Sequence, residues 1–328
     1  MIKREELEQL YNKDLKEKLS GLEGMRKKLL LHRLAGIAGI IVPFIIFIAT
    51  LSATSTLNNS ALFLPIVLAA IIIFSIVILI LSIKKKRLYR KAYKSEVVTK
   101  IVHAIDPNWN YVPDQSISTA EYLESDLFRT HYDKYEGDDF ISGVIDKTDF
   151  RCSELHTQYK SVSTDHDGKR QDKWVTIFKG LFFHADFNKH FTGKTYIAPD
   201  VAERVLGNLG KKLQKITGKA DLVKLENPEF EKYFVVHATD QIEARYILTP
   251  TIMEALVKIY KEYKRPIHLS FIGSRVYCAI SFTRDLFEPK IMRSGVKFED
   301  MENMYDLFMV NATIIKELNL NTRIWTKD

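Results

Sequence analysis

Two long apolar runs dominate the pattern of hydrophobic and polar positions. Residues 34–51 and 61–83 contain no Asp, Glu, Lys, Arg or His. A bilayer core about 30 Å thick needs roughly 20 apolar residues in helical conformation. The pattern therefore predicts two transmembrane helices, joined as a hairpin by the short uncharged loop 52–60.

The polar and apolar positions on either side predict three further regions. Residues 1–33 have leucines at helical spacing among mixed charges, which predicts a cytoplasmic amphipathic N-terminal arm that Gly21 and Gly24 break before the membrane. The hairpin occupies residues 34–83, and residues 84–105 are predicted to form a basic juxtamembrane helix. Residues 106–328 are predicted to form a cytoplasmic α+β domain.

Within residues 106–328, alternating and β-branched segments predict strands, and capping signals predict helices. The predicted strands are 140–145, 150–159, 174–187, 195–198, 233–238, 268–272 and 275–282, with a polar turn at 165–170 and an extended tail at 322–325. The predicted helices are 118–127, 200–216, a turn from Asn227, 249–263 and 299–318. This mixture favours an antiparallel sheet with packed helices.

The charge distribution changes the picture at the membrane. The net charge of +7 is concentrated in residues 84–94, which carry seven basic and no acidic residues. Since basic flanks stay on the cytoplasmic side, both termini are expected in the cytoplasm. The flank also predicts contact with anionic lipid headgroups through Lys84, Lys85, Lys86, Arg87, Arg90 and Lys91. Because the bilayer accounts for the basic charge, nucleic-acid binding is not expected.

Small residues within the first apolar run predict close helix packing. Ala35 and Gly39, like Ala49 and Ala53, have the small-xxx-small spacing that serves packing of the hairpin or of a homo-oligomer. Neither apolar run contains an ionisable residue of the kind found on transport paths. The hairpin is therefore predicted to be an anchor.

Signals for cofactors and metals are weak. Residues 188–195 (NKHFTGKT) match a P-loop except that Asn188 replaces the first glycine, and the following residues predict a strand rather than the required helix. Cys152 and Cys278 predict buried reduced thiols rather than a disulfide. We therefore expect no cofactor and no metal.

Two His/Asp pairs are the weak candidates for catalysis. His184 and Asp186 would lie on one face of a strand, and His237 and Asp240 come close together further on. Either pair would supply two metal ligands, or a base and its orienting carboxylate. A hydrolase site would require all four side chains to converge.

Several motifs resemble a bacterial family, the domain of unknown function 3137. They are Phe178-Lys179-Gly180-Leu181-Phe182, Glu226-Asn227-Pro228-Glu229-Phe230, the run from Thr239 to Pro250, and Asp285-Leu286-Phe287-Glu288-Pro289. The resemblance covers roughly residues 90–325. It implies a membrane-anchored protein of the bacterial inner membrane, and it supplies no activity and no catalytic residue.

The sequence thus favours a non-enzymatic, membrane-anchored interaction or scaffold domain that binds a protein partner or a second copy. Its interaction surface is predicted at Asp240, Glu243, Arg245, Phe287 and Glu288. An Asp240–Arg245 pair that locks a turn, and phenylalanines that anchor their loops, are the structural alternatives. A membrane-tethered hydrolase and a lipid-responsive regulator are the rival functions.

Overall fold

Two continuous helices make up the first third of the chain in a computed structural model, which describes residues 4–52, 63–164, 170–186, 190–200 and 220–317. The first comprises α1 (Arg4–Leu10), a π-helical turn (Tyr11–Leu15) and α2 (Lys16–Ser52). The second comprises α3 (Phe63–Tyr93), a π-helical turn (Lys94–Val98) and α4 (Thr99–Ile105).

The predicted break at Gly21 and Gly24 is wrong, because both glycines lie inside α2. A glycine within a helix costs only about 1 kcal/mol. The buried Leu19 and Leu22 lie on the same helix and are 3% and 8% exposed. Packing of this face therefore outweighs the local glycine preference.

Helices α2 and α3 pack side by side in antiparallel orientation, and contacts between their side chains fix which residues lie opposite each other. Lys18 Nζ lies 2.9 Å from Glu96 Oε2, and Lys85 Nζ lies 2.7 Å from His32 Nε2. Further along, a Cβ on Gly39 would come within 2.1 Å of Ser75 Oγ. The predicted close approach is confirmed at Gly39. Ala35, the other member of the predicted Ala35/Gly39 pair, is exposed. Its neighbour Gly36 lies in the interface instead.

Both helices are long and apolar enough to cross a membrane, over Arg4–Thr50 and Leu64–Ile105. Their apolar windows are largely exposed, as in Phe44 and Phe74. A helix in a soluble core would bury these side chains. The exposure of these apolar side chains agrees with the predicted transmembrane hairpin.

The chain forms two compact units. The first contains residues 1–104 and 287–303, and the second contains residues 105–286 and 304–328. In the first unit, the segment 287–303 packs on the N-terminal helix: the Tyr11 ring lies edge-on to Phe298, with 5.5 Å between centroids, and Arg26 Nη1 donates to the Ile291 carbonyl at 2.7 Å.

A nine-stranded antiparallel sheet forms the second unit, in the order β1-β2-β3-β4-β9-β8-β5-β7-β6. The strands are β1 (Asn110–Val112), β2 (Lys134–Ile145), β3 (Thr148–Thr164), β4 (Arg170–Asp186), β5 (Lys194–Pro199), β6 (Asp221–Val223), β7 (Phe234–Ala238), β8 (Ile267–Ile272) and β9 (Arg275–Ser281). The helices are α5 (Thr119–Glu124), α6 (Pro228–Glu231), α7 (Gln241–Ile247), α8 (Pro250–Tyr263) and α9 (Phe298–Glu317), which crosses the boundary between the units. The predicted α+β class and antiparallel sheet are confirmed.

One face of the sheet is almost entirely apolar. Its buried side chains include Leu181, Phe183, Leu269 and Ile280, and both cysteines are buried there as predicted. All seven predicted strands are present, with ends that differ by up to several residues, whereas β1, β6 and α7 were not predicted. The predicted helix at 200–216, the turn at 165–170 and the tail at 322–325 lie wholly or mostly outside the described residues.

Candidate functional site: a polar row across the sheet

The opposite face of the sheet carries a row of polar side chains that we call the polar row. Each member lies directly across from the next on the neighbouring strand, so all point to one side. From β3 to β7 the members are Arg151, His184, Tyr277, Ser270, Tyr196 and His237. A row of polar groups on a covered sheet face requires partners, since unpaired buried polar groups are costly.

The segment 118–129 supplies partners to most of the polar row in sequence order. Glu121 accepts from Arg151 and lies 3.3 Å from His184 Nε2. Ser270 Oγ donates to the Ser125 carbonyl at 2.6 Å, and Tyr196 Oη donates to Asp126 at 2.6 Å. This segment therefore follows the row strand by strand.

Glu121 is the first hub of this arrangement. It completes the predicted capping box of α5 with Ser118, whose backbone N–H and hydroxyl both donate to Oε2, at 3.0 and 2.7 Å. Burial raises the pKa of Glu121, but the hydrogen bonds from Ser118 and Arg151 outweigh it and hold that pKa at about 2. Glu121 is therefore ionised at every physiological pH.

His184 is held between Glu121 and Arg275. Arg275 Nη1 lies 2.9 Å from His184 Nδ1 and can only donate, so Nδ1 accepts and Nε2 carries the proton toward Glu121. Burial, together with the charge of Arg275, lowers the pKa of His184 to about 4. The imidazole is thus neutral and oriented.

Asp126 is the second hub. Its carboxylate binds Arg129 through two contacts of 2.5 and 2.6 Å, and it also accepts from Tyr196 and from Lys194 Nζ, at 3.0 Å. Its backbone adopts the left-handed conformation with φ +51°, which costs a non-glycine residue free energy. The three donors together favour a geometry that the backbone alone disfavours.

The four side chains of the predicted hydrolase site do not converge. His184 and His237 share the polar row but are four strands apart, about 19 Å at the usual strand spacing. Asp186 ends β4 across from Arg275, and Asp240 is the N-cap of α7, accepting from Ile242 N and Glu243 N. The hypothesis of one shared His/Asp site is therefore wrong.

The loop that resembles a P-loop binds a carboxylate of the chain itself. Glu243 accepts the backbone N–H of Thr192 at 3.0 Å and that of Gly193 at 2.8 Å. Lys194 then opens strand β5 rather than a helix, as the sequence predicted. Glu243 thus occupies the backbone N–H groups of Thr192 and Gly193, two donors that a phosphate bound in this loop would need.

The predicted interaction residues are mostly engaged in the fold. Asp240 caps α7, and Arg245 lies 3.5 Å from Gln241 Oε1, so the predicted Asp240–Arg245 lock is not formed in the described residues. Phe287 is fully buried, which confirms the anchoring alternative. In the first unit Glu288 pairs with Arg90 at 2.6 Å and with the buried Lys94 at 3.1 Å.

Sequence reasoning missed an apolar surface on α7. Ile242 is 81% exposed and Tyr246, one turn later, is 45% exposed. Helix α7 lies beside β6, whose Leu222 is also half exposed. We call Ile242 and Tyr246 the α7 surface. The spacing of Ile242 and Tyr246 was the available signal, but it is visible only once the segment is known to be helical.

A buried carboxyl lies on the apolar face of the sheet. Glu154 on β3 is 6% exposed, and its Oε2 accepts the backbone N–H of Leu286 at 2.9 Å. Burial, with smaller contributions from Asp138, Asp139 and Asp285, raises the pKa of Glu154 to about 8. Glu154 is therefore mostly protonated at neutral pH.

Of the six predicted lipid-contacting residues, five are exposed: Lys84, Lys85, Lys86, Arg87 and Lys91. Arg90 is half buried and pairs with Glu288. The cationic flank therefore divides into an exposed part and a part that holds the segment 287–303 in place.

Comparisons with known proteins identify a domain but not a role. Residues 176–320 match the family described as protein of unknown function (DUF3137), which confirms the predicted resemblance over those residues. No curated protein matches the chain significantly. A solved structure, that of the mycobacterial trehalose monomycolate transport factor A, aligns over 67% of this chain and 93% of its own at 10% identity. Its TM-score of 0.31 is too low to support a conclusion about fold or function.

Proposed function

We propose that this protein, which carries a domain of unknown function, is a membrane-anchored scaffold that binds a protein partner through the α7 surface. The hairpin would anchor it in the bacterial inner membrane with both termini in the cytoplasm. The partner would present apolar side chains that cover Ile242. A protein partner, rather than a substrate, is the occupant that suits a convex apolar helix face.

The observation that carries the proposal is the exposure of Ile242. Large apolar side chains grouped on one surface are typical of protein interaction sites. Here the capping carboxylate of Asp240, together with the hydrogen bonds that Glu243 accepts from the backbone N–H groups of Thr192 and Gly193, fixes the first turn of α7 in place. The surface is therefore preorganised, which lowers the cost of binding.

The arrangement of the polar row supports a non-catalytic role. His184 is neutral and held on both ring nitrogens, and Glu121 and Asp126 each accept from several donors. A general base needs a free lone pair within reach of a substrate proton. These groups serve instead to fix the segment 118–129 on the sheet.

The test is a pull-down of full-length tagged protein in mild detergent, with quantitative mass spectrometry of the bound proteins. The double variant Ile242→Asp with Tyr246→Ala should lose at least tenfold of a partner that the wild type retains. Leu123→Asp is the matched control, since Leu123 is also half exposed on a short helix, and it should retain that partner. An unchanged partner set in the double variant would refute the proposal.

A further inference from the structure

Basic side chains cluster on the paired helices where the apolar parts of α2 and α3 end. We call this cluster the headgroup collar: Lys27, Lys28 and Arg33 on α2, and Lys84, Lys86 and Arg87 on α3. The contact between His32 and Lys85 places these two stretches at the same level. Two helices thus contribute to one band of positive charge.

The collar differs from the rest of the helical pair in its ion pairing. Farther along the pair, basic side chains meet carboxylates of the same unit; these pairs are Arg26–Glu23, Lys18–Glu96, Lys100–Asp14 and Arg90–Glu288. Within the described residues, no carboxylate lies within ion-pair distance of a collar side chain. The collar side chains are all exposed except Arg33, which is half buried. The change from paired to unpaired cations occurs within one helical turn, between Arg26 and Lys27 on α2 and between Arg87 and Arg90 on α3.

Apolar surface begins immediately beside the collar. Leu34 follows Arg33, and Ile83 precedes Lys84; they are 50% and 59% exposed. A band of unpaired cations next to an exposed apolar surface matches the order of layers in a bilayer, where charged headgroups border hydrocarbon.

We propose that the headgroup collar binds the phosphate groups of anionic phospholipids. The fixed register of α2 and α3 holds the charges of both helices around one headgroup layer, which a flexible basic tail would not do. This site is independent of the α7 surface, since it uses only residues of the helical pair.

Native mass spectrometry of the full-length protein in mild detergent tests this proposal, with added phosphatidylglycerol or phosphatidylcholine. The wild type should retain phosphatidylglycerol and not phosphatidylcholine. The double variant Lys86→Gln with Arg87→Gln should bind phosphatidylglycerol about 25-fold more weakly, since each basic residue contributes about fivefold. Lys13→Gln with Lys16→Gln removes two exposed charges from the same helical pair outside the collar and should have no effect.

A second variant covers the case in which the first does not insert into the membrane. Lys27→Gln with Lys28→Gln removes two collar charges from α2 and should give a similar loss, with insertion checked by resistance to alkaline extraction. Equal retention of phosphatidylglycerol by both collar variants and the wild type would overturn the proposal. Equal loss in the Lys13/Lys16 control would also overturn it, because it would indicate a general charge effect.

Discussion

At the residue scale, Glu154 is a buried carboxyl whose protonation is coupled to folding. An isolated glutamate has a pKa of about 4.3, whereas burial and nearby carboxylates raise the pKa of Glu154 to about 8. A raised folded-state pKa stabilises the fold fully at pH values below the unfolded pKa. That stabilisation is lost as the pH rises through the folded pKa. The second unit should therefore lose stability between about pH 4 and pH 8.

Replacement of Glu154 by Gln should remove this pH dependence. Gln retains an oxygen that can accept the Leu286 N–H but carries no proton to lose. We expect the variant to be more stable than the wild type at pH 8 by about 4–5 kcal/mol, and equal at pH 4. Thermal unfolding of the full chain in detergent at both pH values measures this. Glu226→Gln, at an exposed position, is the control, and a Glu154→Gln variant with the wild-type pH profile would contradict the prediction.

The sequence predicted side-chain contacts between residues that are close along the chain, but not those between distant residues. The Ser118–Glu121 capping box was visible because both partners lie within one helical turn. The contacts of Glu121 with His184 and of Asp126 with Tyr196 join residues more than sixty positions apart. No spacing pattern in the sequence predicts these contacts. Each histidine is therefore paired with a nearby aspartate in the sequence analysis, and the shared site predicted from these pairs is wrong.

At the element scale, short elements depend on partners rather than on their own sequence. Thr249 and Pro250 specify the start of α8 by themselves, and that prediction is confirmed. Strands β1 and β6 have three residues each and exist through pairing with β2 and β7. Helix α7 is likewise held by Asp240 and by the carboxylate of Glu243. These are the elements that the sequence did not reveal.

Replacement of Glu243 by Ala should loosen the turn before β5. The backbone N–H groups of Thr192 and Gly193 would lose their acceptor, which costs about 1–3 kcal/mol when such groups stay out of water. Hydrogen exchange should become faster at these two amides while β5 stays protected. Glu254→Ala, at an exposed position on α8, should leave both amides unchanged. Unchanged exchange at Thr192 and Gly193 in the Glu243 variant would show that Glu243 does not hold this turn.

At the scale of the whole molecule, the chain returns late to complete its first unit. In the segment 287–303, the Ile291 carbonyl accepts a hydrogen bond from Arg26, the Phe298 ring contacts Tyr11, and Glu288 forms an ion pair with Arg90. The two long helices therefore depend on residues that lie from about two hundred to almost three hundred positions further along the chain. Hydrophobic periodicity predicted the helices and their apolar runs, but not this return.

Replacement of Tyr11 by Ala should release the returning segment. It removes the ring contact with Phe298 and the hydrogen bond to the Val296 carbonyl, while alanine preserves the helix. Tryptic cleavage after Arg293 and Lys297 should become at least several-fold faster in the full chain. The neighbouring change Asn12→Ala, at an exposed position, should not alter the cleavage rate. Equal rates for the Tyr11 variant and the wild type would contradict this role.

The unbroken passage of α2 through Gly21 and Gly24 has a mechanical consequence. The helix from Arg4 to Leu34 extends for about 45 Å at 1.5 Å per residue, and it is packed in register with α3. Spans adjust to a thinner or thicker bilayer by tilting. Because no hinge separates the span from the arm, a 10° change of tilt would displace the far end by about 8 Å. The anchor would thus act as a lever that converts bilayer thickness into displacement.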